Sequence, residues 1–345
     1  MRSKNGDGMD NPVVVEVLRG AVVESRHRGA AVVCDADGGV LLAFGDAERP
    51  VFPRSAVKAI QALPLVESGA ADGYALTVRE LALACASHSG EVRHTDTAEG
   101  MLRKAGLSPD ALECGAHWPT SHRATIALAR EGGQPSALHN NCSGKHSGFL
   151  CTCCHEGIDH RGYVGRTHPL QEMVRETMAQ VTGAAHEADL CGTDGCSIPT
   201  YAVPLRNLAQ GFARMATGQG LSTVRAAAAR RLMAACMAEP WFVAGTDRHD
   251  TKMMEAGRGR VFTKTGAEGV FCAALPQQGL GIALKCDDGT ARAAEVMIAA
   301  IIERLLGLQD EIDPRPFHDL ARPRMSNWNG IAFGTMRPSG PLVMS

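Results

Sequence analysis

The distribution of strand-like and helix-like segments constrains the fold of this chain most. Runs of β-branched and aliphatic residues lie near both ends of the sequence, and helical patterns fill the long middle. The strand-like runs cover residues 12–17, 20–25, 29–35, 39–45, 260–265, 269–275 and 280–286. The helical patterns cover residues 55–67, 78–86, 93–105, 144–156, 168–182, 204–217, 222–238 and 291–307.

This order of elements predicts an α+β fold. Strands from the two ends of the chain would pair into one antiparallel sheet packed with helices, and the middle helices would form a second, largely helical lobe. Turn signals at 35–39 and 287–289 bound two of the strands. The expected parts are a flexible leader over 1–11, one domain over 12–335, an ordered loop over 183–200 and a C-terminal tail over 336–345.

Composition and charge argue against nucleic-acid and membrane partners. Of the 345 residues, 45% are hydrophobic and 21% are charged, which is typical of a globular protein. The net charge is −2 without a basic block, so we expect no nucleic-acid binding. No apolar run approaches the ~20 residues of a membrane span. The polar N-terminus lacks the apolar region of a secretory signal, which predicts a cytoplasmic protein.

The twelve cysteines are not spaced like a disulfide framework. Several lie among Val, Ala and Leu, where a free thiol behaves as a small hydrophobe. The cluster Cys151, Cys153, Cys154 and His155 contains metal-ligand residue types but lacks a second paired half. We therefore interpret this cluster as part of a helix that faces the core.

Three short motifs, in chain order, are typical of serine acyl enzymes that use a lysine as base: Ser55-x-x-Lys58, Ser87-His-Ser and Lys264-Thr-Gly. A hydroxyl is a poor nucleophile at neutral pH, and a lysine can take its proton if burial or a nearby cation lowers the lysine pKa. Positions i and i+3 share a helix face, so Ser55 and Lys58 can touch. Pro53 precedes the helical pattern, which places Ser55 near unpaired backbone N–H groups that can stabilise an oxyanion.

Two further segments are dense in glycine and polar residues. They are HNNCSGKHSG at 139–148 and CGTDGCSIP at 191–199. Such segments suit a backbone that approaches a small polar ligand, and they equally suit a glycine-rich helix start and a tight turn.

Several strings together resemble the rhizobial-type, or class 3, L-asparaginases over about residues 12–335. The strings are PRSAVKAIQALPL, CASHSGE, LHNNCSGKHSGFL, DGCSIPTYAVPL, TKTGAEG and GLGIALKCDDG. The resemblance implies a fold similar to serine β-lactamases and penicillin-binding proteins, and a homodimer. It implies hydrolysis of L-asparagine to L-aspartate and ammonia by two Ser–Lys pairs, Ser55 with Lys58 and Ser87 with Lys264.

The same resemblance implies a zinc ion near the active site. Its ligands would be Cys142, Lys145, Cys196 and a water molecule. A lysine ammonium has no lone pair, so Lys145 must be neutral to bind, and two thiolates beside a dication favour its deprotonation. We expect such a zinc to position the substrate.

We expect four more residues to contact the substrate: Arg54, His88, His146 and Asp194. Asp194 would hold the α-ammonium of the substrate or a zinc-bound water, although a turn residue that bonds its own backbone is an alternative. His88 is alternatively a loop histidine behind the site.

In the expected reaction, one serine attacks the amide carbon, its lysine takes the proton, and water hydrolyses the acyl-enzyme. The sequence does not decide between Ser55 and Ser87, although Ser55 has the better position at a helix start. The alternatives are a β-lactamase-fold glutaminase, a penicillin-recognising hydrolase, and a non-enzymatic zinc protein. The 32 residues from Ser55 to Ser87 and the Cys-rich segments argue against the first two. The Ser–Lys pairs argue against the third.

Overall fold

The computed structural model describes residues 11–307 and 313–343 and has a mixed α and β architecture. Residues 1–10 of the predicted leader and residues 344–345 of the predicted tail lie outside the described residues.

The strands are β1 (Val13–Arg19), β2 (Val22–Cys34), β3 (Val40–Phe44), β4 (Pro50–Val51), β5 (Cys191–Thr193), β6 (Pro199–Tyr201), β7 (Val203–Pro204), β8 (Phe262–Thr265), β9 (Val270–Leu275), β10 (Leu280–Cys286), β11 (Arg324–Ser326) and β12 (Ala332–Pro338). The helices are α1 (Lys58–Gln61), α2 (Leu63–Glu67), α3 (Ala70–Gly73), α4 (Val78–Ala84), α5 (Val92–Lys104), α6 (His122–Arg130), α7 (Ser143–Glu156), α8 (Pro169–Thr182), α9 (Leu205–Thr217), α10 (Thr223–Ala238), α11 (Pro240–Val243), α12 (His249–Gly257), α13 (Ala291–Leu306) and α14 (Arg315–Ala321).

One antiparallel sheet joins the two ends of the chain, as predicted. Its strand order is β11-β12-β1-β2-β10-β9-β8, and β3 also pairs with β2. The central strand β2 pairs with β1 through its first half and with β10 through its second half. The mixed fold with a sheet built from N- and C-terminal strands is therefore confirmed.

The prediction of two separate strands at 20–25 and 29–35 is wrong, because β2 continues through the polar residues between them. His27 pairs with Val15 and Arg28 pairs with Val13. These backbone hydrogen bonds to β1 keep the polar stretch extended where the sequence favoured a break.

Both faces of the sheet are buried along β9, β10 and the second half of β2, which explains the near-continuous apolar runs in these segments. Along β2, Ala30 and Val32 face the core beneath the helical lobe, while Ala31 and Val33 face the core beneath α13. All four are at most 1% exposed. Burying each valine side chain contributes about 1.5–3 kcal/mol.

The helical lobe is inserted between β4 and β8 and carries most of the candidate site. The expected loop over 183–200 contains the short β5–β6 hairpin. The expected domain boundary after residue 335 lies inside β12, which pairs with β1.

Among the described residues, no helix is both long and apolar enough to cross a membrane.

Candidate active site

Ser87 lies just after α4, where its hydroxyl meets two buried lysines. Lys58 Nζ lies 2.9 Å and Lys264 Nζ lies 3.0 Å from Ser87 Oγ. Both lysines are fully buried and Ser87 is 6% exposed. All three motifs found in the sequence, two of them 177 residues apart, therefore meet at one hydroxyl.

Backbone contacts hold this cluster in place. Lys58 Nζ also donates to the Ala86 carbonyl at 2.6 Å, and Lys264 Nζ donates to the Thr265 carbonyl at 2.8 Å. The Ser87 amide donates to the Val243 carbonyl at 2.9 Å. A buried amine needs such partners, and each lysine therefore has few other positions available.

The environment of Lys264 favours its neutral form. The pKa of Lys264 is lowered from 10.5 to about 7, mainly by burial; the Asp250 carboxylate opposes this shift and the charge of Lys58 adds to it. Near neutral pH, a substantial share of Lys264 is therefore unprotonated and can accept a proton from Ser87.

Ser55 and Lys58 are not joined by a side-chain hydrogen bond, and the proton transfer predicted between them stays a prediction. Ser55 is half-buried in a single 3₁₀ turn, Arg54–Val57, and its hydroxyl has no hydrogen bond to another described residue. Lys58 instead satisfies its amine at Ala86 and Ser87. The i, i+3 spacing allows contact but does not force it, because the buried acceptors near Ser87 compete for the lysine.

Arg54 orients the turn that carries Ser55. Its backbone has a φ of 51°, in the left-handed region that non-glycine residues rarely adopt. Its side chain binds Asp194 at 2.7 Å. Ser197, next to Cys196, also has a positive φ of 76°. Strained residues of this kind concentrate at functional sites, where surrounding contacts hold them.

The glycine of the Lys264-Thr-Gly motif has a steric role. A Cβ on Gly266 would lie 2.6 Å from the Pro53 carbonyl oxygen and 3.2 Å from Ala56 Cβ. Only glycine lets the end of β8 approach the Ser55 turn this closely. The motif therefore brings Lys264 and the Ser55 turn to the same place.

Cys142, Lys145 and Cys196, the three predicted zinc ligands, form a second buried cluster. Lys145 Nζ lies 3.1 Å from Cys196 Sγ, and all three residues are at most 4% exposed. Cys142 precedes α7, Lys145 lies in its first turn, and Cys196 follows β5. Two glycine-rich segments that the sequence left open as separate turns therefore share one site.

The donor set of this cluster fits zinc. Contact with the Cys196 thiol holds the pKa of Cys142 well below its usual value, against the effect of burial. Burial alone would lower the pKa of Lys145, but the charges of Cys196, Cys142 and Asp194 outweigh it and raise this pKa. Without metal, Lys145 is therefore an ammonium paired with sulfur. Zinc–sulfur and zinc–nitrogen bonds of about 2.3 and 2.0 Å place tetrahedral N and S ligands roughly 3.5 Å apart, so only a small adjustment is required.

His88 connects the two clusters. Its Nε2 lies 2.8 Å from Ser143 Oγ, and its Nδ1 accepts the Gly90 amide at 3.1 Å. Its backbone amide donates to the Asn141 carbonyl at 3.1 Å. Burial holds the pKa of His88 well below 6.5. With both ring nitrogens engaged and no exposed surface, His88 holds the Ser87 loop against α7, and its contact with substrate stays a prediction.

His146, on α7, keeps one ring nitrogen available. Its Nδ1 lies 2.6 Å from Tyr163 Oη, and Tyr163 Oη accepts the Glu113 amide. Its buried Nε2 has no hydrogen-bond partner among the described residues. A buried donor without a partner is destabilising, so a bound ligand would be a natural acceptor.

The remaining cysteines lie elsewhere. Cys151 and Cys153 are buried in the core on α7, as expected. A different group, His27, Cys286 and Asp288, brings three metal-ligand residue types within 4.8 Å of one another. Asp288 accepts hydrogen bonds from His27 at 2.6 Å and from Cys286 at 3.0 Å, which engages the candidate ligand atoms with one another, while the buried His27 Nε2 has no hydrogen-bond partner among the described residues.

Sequence reasoning missed Asp250 and Tyr163. Asp250 lies near the start of α12, a helix that the sequence pattern did not predict, and it is 1% exposed. Neither residue belongs to a recognisable motif. Asp250 is connected with the site by its hydrogen bond to Thr265 and its charge effect on Lys264, and Tyr163 by its hydrogen bond with His146.

Comparisons with known proteins give one family match and several similar solved structures. The family model described as L-asparaginase II matches residues 15–338. No curated protein matches the chain.

Among solved structures, the chain is similar to a β-lactamase from Mycobacterium bovis, with 17% identity over 81% of this chain and 94% of that chain, at a TM-score of 0.43. It is similar to an octameric penicillin-binding protein homologue from Pyrococcus abyssi, with 11% identity over 88% and 79% of the two chains, at a TM-score of 0.36. It is also similar to a simvastatin synthase from Aspergillus terreus, with 9% identity over 75% and 86%, at a TM-score of 0.36.

Proposed function

The chain belongs to the L-asparaginase II family, and we propose that it hydrolyses the side-chain amide of L-asparagine to L-aspartate and ammonia. The observation that carries this proposal is the Ser87 hydroxyl between two buried lysines, one with a pKa of about 7. A structural protein has no use for such an arrangement. An amidohydrolase requires it to make a hydroxyl nucleophilic.

In the proposed reaction, neutral Lys264 takes the proton of Ser87 as its oxygen attacks the amide carbon. The tetrahedral intermediate then collapses, the C–N bond breaks, and the lysine proton passes to the leaving nitrogen, which departs as ammonia. A water molecule then gives a proton to the same lysine as it attacks the aspartyl ester, and the lysine returns this proton to Ser87 Oγ as the ester C–O bond breaks and aspartate is released. Lys58 holds Ser87 in position throughout.

Ser55 is the second hydroxyl of the site. Because it is half-buried and has no lysine partner, we assign the first attack to Ser87. Mass spectrometry of enzyme quenched during turnover identifies the acylated serine. An aspartyl adduct on Ser87 supports this assignment. An adduct on Ser55 would instead make Ser87 the proton relay between Ser55 and Lys264.

We propose that Arg54 and Asp194 anchor the α-groups of the substrate. Asp194 is largely buried, and the cations of Lys145 and Arg54 lower its pKa in spite of burial. It therefore stays ionised and can hold an α-ammonium, while the Arg54 guanidinium can hold an α-carboxylate. The free Nε2 of His146 offers a further hydrogen-bond donor.

We also propose that Cys142, Lys145 and Cys196 hold a zinc ion beside this anchor. When bound, zinc supplies a fixed positive charge that orients the substrate. Lys145 would have to release its proton to bind; the charges of Cys196 and Cys142 raise its pKa and oppose this, and the positive charge of the metal would favour it.

Ammonia release from L-asparagine and L-glutamine, measured beside hydrolysis of a chromogenic β-lactam, tests the proposed function. We expect rapid turnover of asparagine. Glutamine is one methylene longer, and a misplacement of the order of 1 Å can cost ~10²-fold in rate, so glutamine should be much the poorer substrate. Equal turnover of glutamine would favour the glutaminase alternative, and hydrolysis of the β-lactam alone would favour a penicillin-recognising enzyme.

The family resemblance further supports a homodimer as the assembly in solution. Sedimentation velocity of the purified protein measures this directly, and a single species at the monomer mass would contradict it.

A further inference from the structure

Asp250 is a buried carboxylate bonded to Thr265, the residue next to the proposed catalytic lysine. It is 1% exposed, and its Oδ1 accepts the Thr265 amide at 2.7 Å. The carbonyl of the same residue, Thr265, accepts a hydrogen bond from Lys264 Nζ at 2.8 Å. Asp250 and Lys264 therefore hold the two polar groups of Thr265, and Lys264 in turn reaches Ser87 at 3.0 Å.

We propose that Asp250 is a positioning residue that fixes Lys264 against Ser87 and stabilises the ammonium formed when Lys264 takes the serine proton. This inference rests on the proposed function and extends it. A buried amine that faces only cations gives up its proton readily but accepts one poorly. A base must do both in each turnover, so an anion beside it is required.

The charges around Lys264 support this role. Burial and the cations Lys58 and Arg248 favour the neutral amine, whereas Asp250 and Cys142 favour the ammonium. The thiols of Cys272 on β9 and Cys236 on α10 also face Lys264, but burial raises the pKa of Cys272, and contact with Cys85 together with burial raises that of Cys236. Both stay neutral, so Asp250 is the main carboxylate that offsets the two cations.

The test is Asp250→Asn, which removes the charge but keeps an oxygen that can accept the Thr265 amide. Opposite charges at close range shift a pKa by about 1–3 units. We therefore expect the midpoint of the rise of kcat/KM with pH to shift to lower pH by about one pH unit or more. We also expect kcat to fall by about tenfold or more, because the lysine accepts the proton less readily. Asp250→Glu keeps the charge and should keep this midpoint near its wild-type position.

The matched control is Asp247→Asn. Asp247 is an exposed carboxylate three residues earlier, with a φ of 62° that asparagine tolerates. This variant should have the same pH dependence of kcat/KM and the same kcat as the wild type. If Asp250→Asn fails to fold, Asp250→Ser provides a second neutral variant with the same expected shift.

A readout without substrate separates this inference from the proposed function. The Cε signal of Lys264 in ¹³C-lysine NMR, assigned by its loss in Lys264→Arg, reports the lysine titration directly. A midpoint in Asp250→Asn that is lower than in wild type supports the inference, even if asparagine proves not to be the substrate. An unchanged midpoint together with an unchanged pH dependence of kcat/KM would overturn it.

Discussion

At the scale of single residues, Lys264 controls the pH dependence of the site. Burial lowers its pKa to about 7, and only its neutral form can take the Ser87 proton. The active fraction therefore increases as pH rises through about 7 and is lost as pH falls below it. We expect kcat/KM for asparagine to climb across this range and reach its optimum at roughly pH 8–9, below the ~10.4 of a free lysine.

Steady-state rates from pH 5 to 10 check this expectation. Lys264→Arg is the informative comparison, because an arginine stays protonated throughout and should abolish both this rise and most of the activity. An acidic optimum, or a rise that survives in Lys264→Arg, would assign the proton transfer to another group.

The residues of the site show which contacts a sequence can predict. All three motifs were recognisable, and the structure brings their lysines to one serine. The sequence paired Lys58 with Ser55, because spacing along a helix is the only proximity that a linear pattern contains. The actual partner, Ser87, lies 29 residues away and is chosen by the packing of buried acceptors.

At the scale of elements, α7 approaches α4 more closely than a side chain would permit. A Cβ on Gly144, in the first turn of α7, would overlap the Leu83 carbonyl oxygen at the end of α4. Gly144→Ala should therefore force the helices apart and destabilise the protein by about 1–3 kcal/mol. Thermal unfolding monitored by circular dichroism measures the change.

Gly100→Ala is the matched control for this substitution. Gly100 lies in the interior of α5, and its added Cβ would meet only the end of the Arg103 side chain at 3.9 Å. Alanine is the better helix former by up to about 1 kcal/mol, so the melting temperature should stay the same or rise. A Gly144→Ala protein that melts at the wild-type temperature would contradict the close packing of α7 on α4.

Elements with strong local periodicity were predicted well, and those defined by distant partners were not. Helices such as α8 and α9 carry apolar spacing and a glycine at the C-terminal end that a local pattern contains, and their bounds agree with the prediction within a residue or two. The strand β12 was missed, because it exists through pairing with β1 at the other end of the chain. The helix α12 is short and was missed for lack of a clear apolar stripe, and with it Asp250.

At the scale of the whole molecule, a metal would join segments that are far apart in the chain. Cys142 immediately precedes α7, Lys145 lies in the first turn of α7, and Cys196 lies in the β5–β6 hairpin. We expect metal analysis to find about one zinc per chain, and both Cys142→Ser and Cys196→Ser to lose most of it, because removing one of three protein ligands opens the site.

Cys286→Ser is the control for metal binding. Cys286 belongs to the hydrogen-bonded group with His27 and Asp288, so its neighbours are residue types that can bind metals, although Cys286 itself is not a predicted zinc ligand. The Cys286→Ser protein should contain as much zinc as the wild type, and so should the Cys151→Ser protein. Zinc that persists in both ligand variants but disappears from Cys286→Ser or Cys151→Ser would place the metal elsewhere.

The most direct test of the account is the rate of ammonia release from L-asparagine by Ser87→Ala compared with wild type. Ser87 is where both lysines converge, and removing a nucleophile or its proton relay lowers kcat by at least ~10²-fold. Lys252→Ala, which changes an exposed lysine on α12, should retain full activity. The account predicts a folded Ser87→Ala protein that has lost at least that factor. A folded Ser87→Ala protein that releases ammonia at the wild-type rate would contradict it.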